Sequence, residues 1–154
     1  MAEQLQYLDS LNSRNTVFLI RQPSTGRILT GRRVTPEQME IYAKIREQQA
    51  PHVPMVRDII READGQYFVL QDYIQGITLE QLLAKQHFLS YAETAHIGVQ
   101  LCLALEKLHA AGIIHRDIKP ANVMITADNE VYLIDFDISR VQKENRNADT
   151  RILG

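Results

Sequence analysis

The stretch HRDIKPAN occupies residues 115–122, and the triplet DFD follows at residues 135–137, directly after a short apolar strand pattern. The first block lies between a helical pattern and another strand pattern, where loops commonly carry catalytic groups. Phosphoryl transfer needs a carboxylate beside an acceptor hydroxyl and oxygen ligands for Mg²⁺. Asp117, Asn122 and Asp135 supply groups of this kind.

The two blocks resemble the catalytic loop H-R-D-x-x-x-x-N and the metal-binding D-F-G of eukaryotic-type (Hanks-type) Ser/Thr protein kinases, including their bacterial members. The resemblance implies an α+β fold. A small antiparallel-sheet N-lobe with one helix would be followed by the first part of a helical C-lobe. Residues 1–71 would form the N-lobe, 72–76 the hinge, and 77–154 the partial C-lobe, which contains the catalytic loop, DFD and the start of the activation segment.

Composition sets limits on the class of protein. The chain has 154 residues, 45% of them hydrophobic, which is enough for one good core, and its net charge of −2 gives no sign of a nucleic-acid or membrane surface. No apolar run reaches the length of a membrane span, and the polar N-terminus does not read as a signal peptide. Cys102, the only cysteine, is predicted to be buried in a helix. We therefore expect a cytoplasmic location.

The pattern of turns and caps predicts the order of elements. Strands flank turns at Gly26 and at Asp64-Gly65, and three helices begin at the capping boxes Thr35-x-x-Gln38, Thr78-x-x-Gln81 and Ser90-x-x-Glu93. The third helix is predicted to bury an apolar stripe and to end near Gly112. The stripe comprises residues 95, 98, 101, 102, 105 and 108.

The kinase resemblance implies a role for each polar residue of the two blocks. Asp117 would be the base that accepts the proton of the acceptor hydroxyl, and Lys119 would steady the γ-phosphate. Arg116 resembles the arginine that pairs with a phosphorylated activation loop. Asn122 and Asp135 would be the Mg²⁺ ligands.

The resemblance also implies an ATP site. Backbone groups near Asp72 and Ile74 would bind the adenine edge. Val17, Thr30 and Met124 would sandwich the adenine ring, with ordinary core packing as the alternative for each of them.

A strand cation and a helix carboxylate complete the implied nucleotide site. Arg32 falls where the family has the strand lysine that contacts the α- and β-phosphates, with Arg33 as the alternative register. Glu40 is the best match to its carboxylate partner, and Glu37 and Glu47 are the competitors; any of the three is otherwise a solvated charge.

Three departures from the family weaken the ATP site. The Gly-rich loop falls on Ser10, Asn12 and Asn15, so none of its glycines is present. Asn tolerates positive φ better than most residues, which makes Asn12 and Asn15 partial substitutes. Arg32 replaces a lysine with a longer, planar cation. Asp137 replaces the glycine of D-F-G, and its carboxylate is a candidate further Mg²⁺ ligand.

The end of the chain bears on its activity. Residues 150–154 resemble the activation segment just before the family's A-P-E stretch, so we expect a kinase cut in that segment. The stripe of the third helix would then be only partly covered. Weak phosphotransfer and self-association of the isolated chain are the expected consequences.

We predict from these features a Ser/Thr protein kinase that transfers the γ-phosphoryl of Mg²⁺·ATP to Ser or Thr hydroxyls of a protein substrate. The alternative is a pseudokinase that acts as a nucleotide-sensing or protein-interaction module. A small-molecule phosphotransferase is a third interpretation, against which Arg116 and Lys119 argue.

Overall fold

The computed structural model describes residues 5–142, and its first half is a five-stranded antiparallel sheet in the order β1-β2-β3-β5-β4. The β4–β5 turn contains Gly65 and the β2–β3 turn contains Gly26, both at positive φ as the sequence predicts. The strands are β1 (Gln6–Ser10), β2 (Val17–Arg21), β3 (Ile28–Val34), β4 (Val56–Arg61) and β5 (Tyr67–Asp72).

Helix α1 (Pro36–Gln48) packs against this sheet. The predicted capping box is present, since the Thr35 side chain accepts from the Gln38 amide and the Gln38 side chain accepts from the Thr35 amide. The helix ends at Gln49, which adopts the left-handed conformation. Its buried residues are Ile41, Tyr42 and Ile45.

The second half is mainly helical, with two small antiparallel sheets, β6-β8-β9 and β7-β10. Both later capping boxes form as predicted, and Gly112 follows the end of α3 at a φ of 75°. A 3-10 turn at Pro120–Asn122 leads into β8. The elements are β6 (Gly76–Thr78), α2 (Leu79–Gln86), α3 (Tyr91–Ala110), β7 (Ile113–Ile114), β8 (Val123–Thr126), β9 (Val131–Leu133) and β10 (Arg140–Val141).

One hydrophobic cluster joins the two halves. Residues of α1 and of the first sheet pack with residues of α3, β7 and β9 and with Phe136, so the segment after β9 is anchored in the same core as the helix. This shared core positions Asp135 and Asp137 of the second half beside Arg32 of β3, the central strand of the sheet. The buried members are Val34, Ile41, Tyr42, Ile45, Ala50, Val53, Val56, Val69, Ala104, Leu108, Ile113, Leu133 and Phe136.

The buried face of α3 is only partly the one that was predicted, since Leu108 of the predicted stripe is buried and half of the stripe is exposed. Its buried residues are Ile97, Gln100, Ala104 and Leu108, and Leu101 and Leu105 are partly buried, whereas residues 95, 98 and 102 are exposed. Cys102 is therefore exposed and not buried. The helix is apolar on more than one side, so periodicity alone did not identify the side that packs in this chain.

Other differences concern short strands. The sequence pattern did not predict β1, which is mostly exposed, nor β6, β7 and β10, which have two or three residues each. The expected start of the activation segment, 150–154, lies outside the described residues. Among the helices of residues 5–142, none combines the length and apolarity needed to cross a bilayer.

Substitutions by alanine at two glycines are expected to change the stability of the fold in opposite directions. A Cβ at Gly76 would overlap the backbone carbonyl of Ile125 on the paired strand, whereas a Cβ at Gly98, in the middle of α3, meets nothing. We expect Gly76→Ala to destabilise the fold by about 1–3 kcal/mol. Gly98→Ala should stabilise it by about 0.5–1 kcal/mol, because glycine is the poorer helix former. Urea unfolding of both variants tests this pair, and equal destabilisation would contradict it.

Candidate active site

A cleft of about 650 Å³ lies between the five-stranded sheet and the segments around β8 and β9. Its lining combines apolar residues of the strands with the polar residues of the two sequence blocks. It contains eight of the residues predicted from the sequence, and Asp117, Lys119, Arg116 and Glu40 are not among its lining. The eight are Val17, Thr30, Arg32, Asp72, Ile74, Asn122, Met124 and Asp135.

The loop that carries Asp117 is anchored by the buried side chain of His115, which is only 1% exposed. Its Nε2 donates to the Ile134 carbonyl at 2.9 Å, and its Nδ1 accepts from the Asp117 amide at 3.1 Å. The ring also packs edge-on against Phe136, with centroids 4.8 Å apart. His115 thus connects the HRD block to the DFD block. Arg116, which lies between His115 and Asp117 in the sequence, adopts a φ of 70°.

Asp117 is fixed by two neighbours in its own loop. Asn122 Nδ2 donates to Asp117 Oδ2 at 3.0 Å and to its backbone oxygen at 2.9 Å, and Lys119 Nζ lies 3.2 Å from the same Oδ2. Within the described part of the chain, the side-chain contacts of Asp117 all go to Oδ2. The other oxygen, Oδ1, is therefore left for a ligand.

Asn122 and Asp135 are brought together at the end of β9. The amide of Ile134, directly before Asp135, donates to the Asn122 carbonyl at 2.9 Å. Because Asn122 Nδ2 is committed to Asp117, its Oδ1 remains as an acceptor. One amide oxygen and one carboxylate suit Mg²⁺, which takes few protein ligands and completes its shell with water and phosphate. Within residues 5–142, no cluster of three or more His, Cys, Asp or Glu residues could hold a metal by itself.

Arg32 has different partners from those predicted. Its guanidinium lies 2.8 Å from Asp137 Oδ2 and 3.6 Å from Asp135 Oδ1. Glu40 is exposed on the outer side of α1, and it forms no ion pair with Arg32 in the described part of the chain. The inward helix position is taken by Tyr42, whose hydroxyl donates to Asp137 Oδ1 at 3.2 Å. The expected Arg32–Glu40 pair is therefore wrong, whereas the choice of Arg32 over the exposed Arg33 agrees with the structure.

Burial affects the pKa values of all three members of this cluster, Arg32, Tyr42 and Asp137. Burial lowers the pKa of Arg32, but the neighbouring carboxylates of Asp137 and Asp135 oppose it, and the pKa is left raised. Burial raises the pKa of Tyr42 far above its usual range, so its hydroxyl is a neutral donor. Burial also raises the pKa of Asp137, against the opposing charge of Arg32. The cluster therefore consists of a permanently charged guanidinium, a neutral phenol and the Asp137 carboxylate, whose pKa is affected by both of them.

At the other end of the cleft, Asp72 ends β5 and Ile74 lies in the segment that follows. The Asp72 carboxylate is committed to Arg57, whose Nε and Nη2 donate to it at 2.7 and 2.6 Å, and its amide donates to the Met55 carbonyl. No backbone hydrogen bond of Ile74 is found among the described residues. Ile74 thus offers a free backbone edge to a ligand in the cleft.

The turn between β1 and β2 is closed by the Asn12 side chain. Its Oδ1 accepts from the amides of Thr16 and Val17 at 3.0 and 3.2 Å, and its Nδ2 donates to Thr16 Oγ1 at 2.8 Å. Asn15 has a φ of 52°, as expected of a glycine substitute, whereas Asn12 is not at positive φ. Asn12 therefore replaces glycine in a different way, by accepting hydrogen bonds from the backbone amides of Thr16 and Val17.

Several residues that line or shape the cleft were given no site role from the sequence, four of them beside the predicted residues. Gln71 and Ile134 contribute to its lining, and Gln38 and Tyr42 contact Asp137 from α1. The spacing of Gln38, Ile41, Tyr42 and Ile45 is that of one helix face, and this signal would have identified the inward side of α1. Gln71 and Ile134 carry no comparable signal.

Comparison with known proteins gives a consistent family. The protein kinase domain model matches residues 16–153. The chain is 35% identical over 111 residues to serine/threonine-protein kinase PknH of Mycobacterium bovis, covering 71% of this chain and 18% of that protein. It is 38% identical over 94 residues to PknD (61% and 14%) and 38% identical over 98 residues to PknE (64% and 17%), both serine/threonine-protein kinases of Mycobacterium tuberculosis. The chain thus spans less than a fifth of the length of these relatives. Because the family model matches nine-tenths of its residues, the chain belongs to the protein kinase family.

Proposed function

We propose that this chain is the catalytic portion of a Ser/Thr protein kinase, with residues 1–71 as the N-lobe, 72–76 as the hinge and 77–154 as part of the C-lobe. The single observation that carries the proposal is the geometry of the catalytic loop. Asp117 is held by Asn122 and Lys119 through one oxygen, and the other oxygen is free to receive a proton. The relatives named above support the choice of Ser/Thr as acceptors.

The proposed reaction joins the hydroxyl oxygen of a Ser or Thr to the γ-phosphorus of ATP. As that bond forms, the bond from the γ-phosphorus to the β,γ-bridging oxygen breaks, and the hydroxyl proton passes to Asp117 Oδ1. Lys119, beside Asp117, balances charge on the transferred group. Arg116 has no role in these steps; we assign it to a phosphorylated activation segment.

The nucleotide would lie in the cleft with its adenine ring between Val17, Thr30 and Met124 and its edge on the backbone near Asp72 and Ile74. Asn122 and Asp135 would hold Mg²⁺, which when bound neutralises charge on the β- and γ-phosphates. Among the described residues, Arg32 is the cation paired with Asp135, at 3.6 Å. The free thiol of Cys102 and the need for ATP fit a cytoplasmic location.

Phosphotransfer from radiolabelled ATP to a generic protein substrate tests the proposal. The natural gene product that carries this chain should label Ser and Thr in the presence of Mg²⁺, and a chelator should abolish the labelling. Phosphoamino-acid analysis then separates Ser and Thr from other acceptors. Undiminished labelling with chelator, or labelling of Tyr alone, would contradict the assignment.

A second candidate function is a pseudokinase module, and one observation favours it. In this family, amides of the glycine-rich loop approach the phosphates, and here Asn12 occupies the amides of Thr16 and Val17. Titration of the wild type with ATP distinguishes the two functions. Equal affinity with Mg²⁺ and with chelator, or no binding at all, would favour the module.

We also propose that the isolated 154-residue chain self-associates through the outer face of α3. Val99 is 60% exposed, Leu103 is 44% exposed, and Cys102 lies between them on the same exposed side. Contiguous apolar surface of this kind favours association. Sedimentation under reducing conditions should show an average mass that rises with concentration.

The double substitution Val99→Lys, Leu103→Glu should lower this concentration dependence strongly. Met55→Glu, a change at an exposed apolar residue far from α3 in the sequence, serves as the control and should leave it unchanged. A wild-type chain that stays monomeric at all concentrations would refute the proposed self-association.

A further inference from the structure

Asp137 stands at the centre of a set of contacts that joins three parts of the molecule. Its Oδ2 accepts from Arg32 of β3 at 2.8 Å, and its Oδ1 accepts from the Tyr42 hydroxyl of α1 at 3.2 Å. Its backbone oxygen accepts from Gln38 Nε2 at 2.9 Å. Its own amide donates to Asp135 Oδ1 at 3.2 Å. The residue is thus held on every polar group by a named partner.

Gln38 has two functions in this arrangement. Its Oε1 accepts from the Thr35 amide at 2.9 Å and completes the capping box, while its Nε2 reaches Asp137. The first turn of α1 and the residue after Asp135-Phe136 are therefore positioned by one side chain. Tyr42, one turn further along, is fully buried and packs edge-on against Phe136 with centroids 6.4 Å apart.

A buried cation needs a counter-charge, and α1 does not provide one. Arg32 is only 9% exposed, and leaving such a charge unpaired is costly. The inward face of α1 carries Gln38, Tyr42 and apolar residues, and its carboxylates at 37, 40 and 47 are all exposed. The carboxylate that satisfies Arg32 comes from the opposite side of the cleft.

We propose that Asp137, held by Tyr42 and Gln38, is the positioning residue for Arg32, so that the cleft cation is oriented by the segment after Asp135 and not by a carboxylate of α1. This inference rests on the proposed nucleotide site, in which Arg32 meets the phosphates. It makes the geometry of that site depend on the placement of residues 136 and 137. Displacement of this segment would break the contacts to Arg32, Tyr42 and Gln38 together.

The structure argues against the other role considered for Asp137, that of a further Mg²⁺ ligand. Both of its carboxylate oxygens are already engaged, one by a cation and one by a phenol. A metal would have to displace Arg32 to reach them. Asp135 differs, because among the described residues its contacts with Arg32 at 3.6 Å and with the Asp137 amide at 3.2 Å both go to Oδ1, and its Oδ2 is free.

Steady-state kinetics of the natural gene product test the positioning role. Asp137→Asn removes the charge and keeps the shape, and we expect it to raise the KM for ATP about tenfold with a much smaller change in kcat. Tyr42→Phe removes only the hydroxyl and should raise that KM about threefold. Because Tyr42 acts through Asp137, the double variant should match Asp137→Asn within about twofold.

Glu40→Gln is the matched control, because Glu40 is the carboxylate that the family pattern assigns to this role. We expect its KM for ATP to equal that of the wild type. A rise in KM for Glu40→Gln comparable with that of Asp137→Asn would overturn the proposal. A fall in KM for Asp137→Asn would overturn it as well, since Asp137 would then compete with the phosphates for Arg32.

A second measurement does not depend on nucleotide. Urea unfolding of Arg32→Met, Asp137→Asn and the double variant forms a thermodynamic cycle. The product of the two single effects on the unfolding equilibrium should exceed the effect of the double variant by about tenfold. Additive effects would overturn the Arg32–Asp137 pair. If the wild type binds no ATP, the proposed function fails, and this cycle still decides whether the pair exists.

Discussion

Asp117→Asn should lower phosphotransfer to a protein substrate by roughly 10²–10⁴-fold, the usual contribution of a positioned general base. The substituted side chain has nearly the same shape, so the contacts to Lys119 and Asn122 around it are disturbed little. What is lost is the oxygen that takes the proton of the acceptor hydroxyl. Because Asp117 does not line the cleft in which ATP would lie, the affinity for ATP should stay within about twofold.

Two measurements are needed for this variant. Initial rates with saturating ATP give the loss in turnover, and calorimetric titration with a non-hydrolysable ATP analogue gives the affinity. Asp128→Asn, at an exposed turn between β8 and β9, is the matched control and should behave as the wild type. Equal turnover of Asp117→Asn and wild type would make Asp117 a structural residue of the loop.

Asp135→Ala has the second large expected effect, on binding and not only on turnover. Asp135 lies beside Asn122 in the cleft, and among the described residues its contact with Arg32 goes to Oδ1 and leaves Oδ2 for a metal, so its removal leaves Mg²⁺ with one protein oxygen. We expect the affinity for Mg²⁺·ATP to fall roughly 100-fold. We also expect the difference in affinity between Mg²⁺ and chelator conditions to disappear.

The affinity for ATP without Mg²⁺ is an internal control for this prediction, because it depends on the charge of Arg32. Loss of Asp135 removes one of the two carboxylates near Arg32, so attraction for phosphate alone should increase slightly. ATP without Mg²⁺ should therefore bind Asp135→Ala at least as well as it binds the wild type. An equal loss of affinity with and without Mg²⁺ would mean that the substitution damages the cleft itself and not a metal site.

The elements of this fold could be predicted well where local signals are strong. Three capping boxes, at Thr35, Thr78 and Ser90, fix the starts of the helices through short-range hydrogen bonds that depend on four residues each. Gly26 and Gly65 fix turns in the same local way. Strands β6, β7 and β10 could not be predicted, because strands of two or three residues are formed by long-range pairing and leave almost no periodic pattern.

The residues of the candidate site also divide into those that could be predicted from the sequence and those that could not. The residues of the HRD and DFD blocks could be identified, because each block is a short run of residues at fixed spacing. The partner of Arg32 could not, because it is chosen by packing between elements more than 90 residues apart. The sequence offered Glu40 on α1, but rotation of the helix places Tyr42 inward and Glu40 in solvent. A one-residue shift around a helix turns a side chain by about 100°, so this detail depends on the core.

The Asn12 side chain has a further consequence, for the pace of the catalytic cycle. In many enzymes a mobile loop closes over the bound molecule, and its reopening limits how fast the product leaves. Here the tip of the β1–β2 hairpin is fastened by three hydrogen bonds to its own backbone and to Thr16, so it has little freedom to fold down and lift away. ADP should then depart without waiting for a lid. The chemical step would set the turnover number, and a pre-steady-state burst of product would be absent.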